Sequence, residues 1–191
     1  MTSDFVFEFK RQMVHLLLGM SIAFTVYLFY PFYGNFILIP LLLAILTMVI
    51  LPRIMPDLRI ANHLLYHFER DHDIVNFPFK GAIWYCIGII APILFISNLN
   101  IACAIIAILS VGDSTSTLIG KFLGKSIVGH KSLEGFFSFF VSGSIAAMFF
   151  VSWKLAVLFS FLGAVIELFA FLDDNFLVPF GLTIFYLLLP L

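Results

Sequence analysis

The stretch IACAIIAILSVGDSTSTLIGKFLGKS, Ile101 to Ser126, decides what kind of protein this is. Its last seven residues, Gly120 to Ser126, look like a phosphate-binding P-loop, which would make the chain an α/β nucleotide-binding domain. That pattern needs four residues between its first glycine and the Gly-Lys-Ser/Thr, with a strand before it and a helix after it. Here only Lys121, Phe122 and Leu123 intervene, and the apolar run before them is too long for an ordinary strand. The stretch is read instead as a long apolar helix with a polar end that contains Asp113. The glycines and lysines need another explanation.

The composition places that helix in a membrane. The chain has 191 residues, 62% hydrophobic and 11% charged, with a mean hydropathy of +1.13. Soluble domains carry about 25% charged residues, and a single core of this length cannot hide so much apolar surface. The expected fold is an all-α integral membrane protein of about seven transmembrane helices, because runs of about 17 to 25 apolar residues cross a bilayer. The runs are Met13–Tyr30, Gly34–Leu51, Gly81–Ser97, Ile101–Gly120, Gly135–Ser152, Leu155–Leu172 and Phe176–Pro190, in one domain spanning 1–191. The first is followed by further spans and lacks a small-residue cleavage site, so it reads as a retained helix. Cys86 and Cys103 lie inside apolar runs without metal or redox spacing and read as packing residues.

Charge placement sets the orientation. Lys10 and Arg11 precede the first span; Arg53, Arg59, Arg70 and Lys80 lie between the second and third; Lys121, Lys125 and Lys131 lie at or after the end of the fourth. Only Lys154 falls on the other side. The positive-inside rule makes the N-terminal face cytoplasmic, and seven spans put the C-terminus outside. Between spans two and three, Leu58, Ala61, Leu65 and Phe68 form one helical stripe. That pattern fits an amphipathic helix along the cytoplasmic interface, or one packed on the end of the bundle.

Acidic residues gather on the same face. A charge inside a span costs about 2.5 to 3.5 kcal/mol on insertion scales, so Asp113, followed by Ser114, Thr115, Ser116 and Thr117, demands a functional reason. Glu167 lies in the sixth run with Asp173, Asp174 and Asn175 just after it, and the seven-residue spacing of Glu167 and Asp174 predicts one helical face. Glu8, Arg11 and His15 line one side of the first helix. Lys131 and Glu134 come from the loop before the fifth run, and Glu69 and Arg70 from the interfacial segment. Carboxylates with lysines and glycines at headgroup depth suit a divalent metal and an anionic phosphate.

The run GDSTSTLIGKFLGKSIVGHKSLEGFFSFF, Gly112 to Phe140, resembles the signature of the CTP-dependent lipid-alcohol kinases: dolichol, phytol and farnesol kinases and the CTP-using diacylglycerol kinase. EFKRQMVH at Glu8–His15, FERD with FKGAIWYCIG between Phe68 and Gly88, and EL with DDNFLVP between Glu167 and Pro179 resemble further family motifs in the same order. The chain looks like a short prokaryotic or archaeal member. The resemblance implies transfer of the γ-phosphoryl group of CTP to the hydroxyl of a membrane lipid alcohol at the cytoplasmic face of the cell membrane, with Mg2+ as cofactor and no nucleic-acid partner; homodimerisation is left open. It implies Mg2+ ligands among Asp113, Asp173, Asp174 and Glu134, with one remaining carboxylate, Glu167 or an aspartate, as proton acceptor. Phosphate contacts would fall to Lys131 with Lys121 or Lys125, and to Arg11 and Arg70. Gly112, Gly120, Gly124, Ser132 and Gly135 would shape the nucleotide loop. Roles for Glu8, His15, Glu69 and Asn175 stay unassigned. A CDP-lipid synthase and a transporter are the alternatives. The segment after Asp174, NFLVPFGLTIF, has no basic residue to hold a second phosphate, which favours the kinase over the synthase.

The topology is directly testable. With Cys86 and Cys103 removed, His130→Cys is expected to react with a membrane-impermeant thiol reagent only from the cytoplasm, and Leu191→Cys only from outside. A cytoplasmic C-terminus would remove the seven-span arrangement.

Overall fold

The computed structural model describes residues 2–129 and 131–189; His130, Leu191 and the expected end of the last span at Pro190 lie outside the described residues. As expected, the protein is all-α in class. Its helices are α1 (Thr2–Tyr33), α2 (Leu38–Ile54), α3 (Arg59–Phe68), α4 (Asp71–Asn76), α5 (Lys80–Phe95), α6 (Leu99–Ala107), α7 (Ser114–Leu123), α8 (Leu133–Ala147), α9 (Trp153–Leu168) and α10 (Asp174–Leu188). Each of the apolar runs read from the sequence contains a helix. Among the described residues, two helical stretches are long and apolar enough to cross a membrane: Asp4–Ile54, which includes the 3-10 turn at Gly34–Ile37, and Leu99–Leu123. The other four runs form helices of 15 or 16 residues. At 1.5 Å per residue these are shorter than a hydrocarbon core of about 30 Å.

The core is the helix that opened the sequence reading. Ile101 to Leu109 are buried without interruption, and α1, α5, α8, α9 and α10 surround them. A helix apolar on every face can only be interior to something, and the share of its apolar window buried within the protein is 78%, against 11% for the apolar window of the Asp4–Ile54 stretch. Between α6 and α7 the chain makes a π-helical segment, Ile108–Asp113, whose wider turn ends on Asp113. Such bulges are frequent at functional sites.

Two local features depart from the sequence reading. The segment between the second and third runs forms two short helices, because extended backbone at Glu69 and Arg70 separates α3 from α4. Ala61 and Leu65 of the expected stripe are buried, whereas Ile60 and Tyr66 are exposed. The loop before α8 folds into an antiparallel ladder, β1 (Ile127–Val128) with β2 (Lys131–Ser132), turning at Gly129 with φ of +62°. Positive φ is a conformation that glycine adopts at little cost.

The approach of α5 to α10 has an identifiable cause. Pro179 has no N–H to donate to the Asn175 carbonyl one turn earlier, and Gly88 of α5 faces that carbonyl. A Cβ at position 88 would overlap the Asn175 oxygen and lie 2.9 Å from Pro179 Cγ. Gly88→Ala is therefore expected to destabilise the protein by about 1–3 kcal/mol, read as a lower melting temperature in detergent. An unchanged melting temperature would contradict the packing described here.

Candidate functional site

A polar cavity of about 480 Å³ lies at one end of the bundle. The start of α1 supplies Arg11, the α3–α4 link Glu69 and Arg70, and the start of α5 Lys80 and Gly81. The central helix supplies Asp113, Ser116, Gly120 and Lys121, the ladder and start of α8 give Lys131, Ser132 and Gly135, and the α9–α10 junction gives Glu167, Asp173, Asp174 and Asn175.

Lys131 joins its acidic side. Its Nζ donates to Glu167 Oε1 at 2.5 Å and Asp174 Oδ2 at 2.7 Å. Burial works against the Lys131 ammonium, but Asp174, Glu167 and Asp113 together hold its pKa above the ordinary lysine value. Conversely, burial would raise the Asp174 carboxyl, and Lys131 more than reverses this. Asp113, Glu167 and Asp174 each bring one oxygen within 4.8 Å of the others. Ser116 Oγ also donates to Glu167 Oε1, at 2.9 Å. The seven-residue spacing of Glu167 and Asp174 does not mark one helical face: α9 ends at Leu168 and Asp174 begins α10. The two carboxylates meet because the chain turns between them.

The opposite side is built on Glu8, which is buried and accepts from Arg11 Nη2 at 2.5 Å, Gln12 Nε2 at 3.2 Å and Lys121 Nζ at 2.9 Å. Arg70 Nη2 lies 3.7 Å from the same carboxylate. One buried anion thus gathers three cations from three separate segments, and Arg11, Arg70 and Lys121 all line the cavity.

Other residues singled out by sequence have structural partners. Ser132 caps α8 by accepting from Gly135 N at 3.1 Å, and Asp173 caps α10 by accepting from Asn175 N at 3.2 Å. Burial, reinforced by Asp174, raises the Asp173 carboxyl. Glu134 is not in the three-carboxylate cluster; both its oxygens accept from Ser126 N at 3.2 Å, tying down the loop. The backbone N–H groups of Glu134, Ser126 and Lys125 keep its pKa low. Lys125 is exposed and does not line the cavity. Gly112 packs against the Phe139 ring, and Gly120, Gly124 and Gly135 let α7 and α8 close around Ser132. His15 Nε2 stands 3.7 Å from Asp113 Oδ2. Sequence reasoning gave no site role to Gln12, Asp73 or Lys80. The i,i+4 spacing from Glu8 could have flagged Gln12, but nothing local marks the 4.0 Å Lys80–Asp73 pair.

This arrangement can hold a divalent cation on one wall and a chain of phosphates on the other. No protein-family model matches the sequence, and no solved structure matches it. The chain is 31% identical over 147 residues to the uncharacterized protein MJ1137 of Methanocaldococcus jannaschii, an alignment covering 72% of this chain and 70% of that protein. It belongs to the same family as that archaeal protein.

Glu69 gives the site a testable pH dependence. Burial raises its carboxyl, Asp73 adds to this, and Arg11 and Arg70 offset it only in part, leaving the pKa at about 7 against an ordinary 4.5. A carboxyl raised in the folded state costs stability progressively as pH climbs from the unfolded to the folded value. Glu69→Gln is expected to melt at the wild-type temperature at about pH 4.5 and above it at about pH 8. A constant difference across that interval would contradict the assigned burial.

Proposed function

We propose that this chain is an integral membrane kinase with about seven crossings and a cytoplasmic N-terminus, which transfers the γ-phosphoryl group of CTP to a lipid alcohol at the cytoplasmic face. The membrane assignment is supported by the distribution of apolar side chains: Leu28, Leu42, Phe149 and Phe180, on four different segments, are exposed, the reverse of a water-facing surface. Besides α4, which supplies Asp73, six helices bring residues to the polar cavity. α5, α8 and α10 reach it by their first turns, α9 by its last, α1 through Arg11 in its N-terminal third and α7 from Ser116 to Lys121.

One observation carries the catalytic reading. Three clustered carboxylates, Asp113, Glu167 and Asp174, and the three cations Arg11, Arg70 and Lys121, gathered on Glu8, line one cavity. Phosphoryl transfer asks the protein for charge neutralisation and in-line positioning more than covalent chemistry. Glu167 and Asp174 are hard oxygen donors of the kind magnesium takes together with substrate phosphates, and they would hold it here, leaving Asp113 as the remaining carboxylate. When bound, the metal would neutralise charge on the β- and γ-phosphates. The basic wall takes the remaining phosphate charge, and Lys131 exchanges a carboxylate partner for a γ-phosphate oxygen. The lipid hydroxyl oxygen forms the new bond to the γ-phosphorus, and the bond to the bridging oxygen breaks with its electron pair leaving on CDP. The hydroxyl proton passes to Asp113, whose Oδ1 has no partner in the protein.

The product identifies the reaction. Purified protein given CTP, magnesium and a polyprenol is expected to release CDP and form a lipid monophosphate, with Asp113→Asn below about a tenth of wild-type turnover, a loss of about 1.4 kcal/mol or more in transition-state stabilisation. Release of pyrophosphate with cytidine carried into the lipid would replace the kinase reading with a CDP-lipid synthase. Full turnover by Asp113→Asn would remove Asp113 from the mechanism.

A further inference from the structure

A second cavity, of about 460 Å³, abuts the polar one. It lies between Val14, Leu18 and Ile22 of α1 and Thr47, Met48 and Leu51 of α2, with α3 along one side and α5 along another. α1 and α2 line opposite parts of this cavity instead of closing on each other. Its volume falls within the usual range for small-molecule sites, about 300–1,000 Å³, and Leu18, on its wall, is exposed. The two cavities share Arg11, Glu69, Gly81, Asp113 and Asn175.

At that shared end lie His15 Nε2, Asp113 Oδ1 and Asn175 Oδ1, each buried without a hydrogen-bond partner. Among the described residues they are the buried side-chain nitrogen and oxygen atoms left in this state, and all three belong to residues lining the apolar cavity. Asp113 itself is 6% exposed. Buried polar atoms in native proteins nearly always have partners, so three orphans on residues lining one cavity call for a ligand. Tyr85 fixes the His15 ring, packing edge-on with centroids 4.8 Å apart, while its own hydroxyl bonds Ser110 Oγ at 2.8 Å.

We infer that the apolar cavity is the binding site of an uncharged, hydroxyl-headed amphiphile, whose tail lies between α1 and α2 and whose hydroxyl docks on His15, Asp113 and Asn175. The chemistry of the trio selects this head. A hydroxyl donates one proton and accepts at its lone pairs; Asp113 or Asn175 takes the proton, and His15 can donate in return. At the trio a phosphate monoester meets two acceptor oxygens, one of them on a carboxylate, and the Arg11 guanidinium at the shared rim is already paired with Glu8. The tail's exit past Leu18 places the hydroxyl against the polar cavity, on the side of Asp113. The ligand class rests on the kinase reading above, whereas the location and the preference for an uncharged head rest on the cavity alone.

The test uses the full-length protein in detergent without nucleotide or metal. The probe is geranylgeraniol bearing a tail diazirine. Photolabel is expected in α1 and α2, falling at least tenfold in Met48→Trp, which fills the cavity, and with excess unlabelled geranylgeraniol. Geranylgeranyl monophosphate is expected not to compete with wild type, but to compete with Asp113→Asn, where an amide donor is introduced. Leu18→Trp, at the exposed wall, is the second blocking variant if Met48→Trp does not fold. Label outside α1 and α2, label unaffected by the blocking variant, or equal competition by the monophosphate would each overturn the inference. Cavity labelling without CDP release would leave this site standing and sink the kinase reading; CDP release with labelling elsewhere would do the reverse.

Discussion

Lys131 Nζ sits between Glu167 and Asp174, and the polar end of the molecule depends on that placement. Two carboxylates brought so close to Asp113 in a poorly hydrated site repel one another, and breaking a buried ion pair by removing one partner costs about 3–5 kcal/mol. The ammonium therefore ties the loop before α8 to the α9–α10 junction. Reaching that position requires the loop to fold back over the central helix. The ladder of β1 and β2 supplies the turn, and the close approach of Gly120 to Gly135 lets α7 and α8 meet beneath it.

Glu8 is the mirror image of this arrangement, one buried anion holding Arg11, Arg70 and Lys121 as Lys131 holds two carboxylates. Each wall is partly neutralised within itself before any ligand arrives. A ligand carrying both phosphate and a divalent cation could exchange partners with both walls, replacing interactions instead of creating them from isolated charges. That is a low-cost way to prepare a highly charged site in an apolar protein, because an unpaired buried charge is far more expensive than a paired one.

The rest of the molecule positions these walls. The buried central helix presents Asp113 at the end of a π-helical segment, while α1 and α2 keep most of their apolar surface on the outside. The Asn175 carbonyl, released by Pro179 and approached by Gly88, sets how α10 enters the site and therefore where Asp174 and Asn175 stand. α1 and α2 are spaced by the cavity between them, and the proposed acceptor site is a product of that spacing.

Hydropathy and charge along the chain were enough to place a helix in each apolar run, to make the class all-α, and to collect Asp113, Lys131, Glu167, Asp174, Arg11 and Arg70 at one end. These are local properties, because the length and hydropathy of each run and the charge at its ends can be read directly from the chain. Tertiary structure alone decided which charges pair. Lys121, expected on phosphate, lies against Glu8, more than a hundred positions away in the chain; Glu134, expected on metal, ties the Ser126 amide; Glu167 and Asp174 meet across a turn and not along a helix. Nor could the sequence show the cavity beside His15. Ion pairing and empty space depend on distances between segments remote in sequence, and no periodicity within a segment records them.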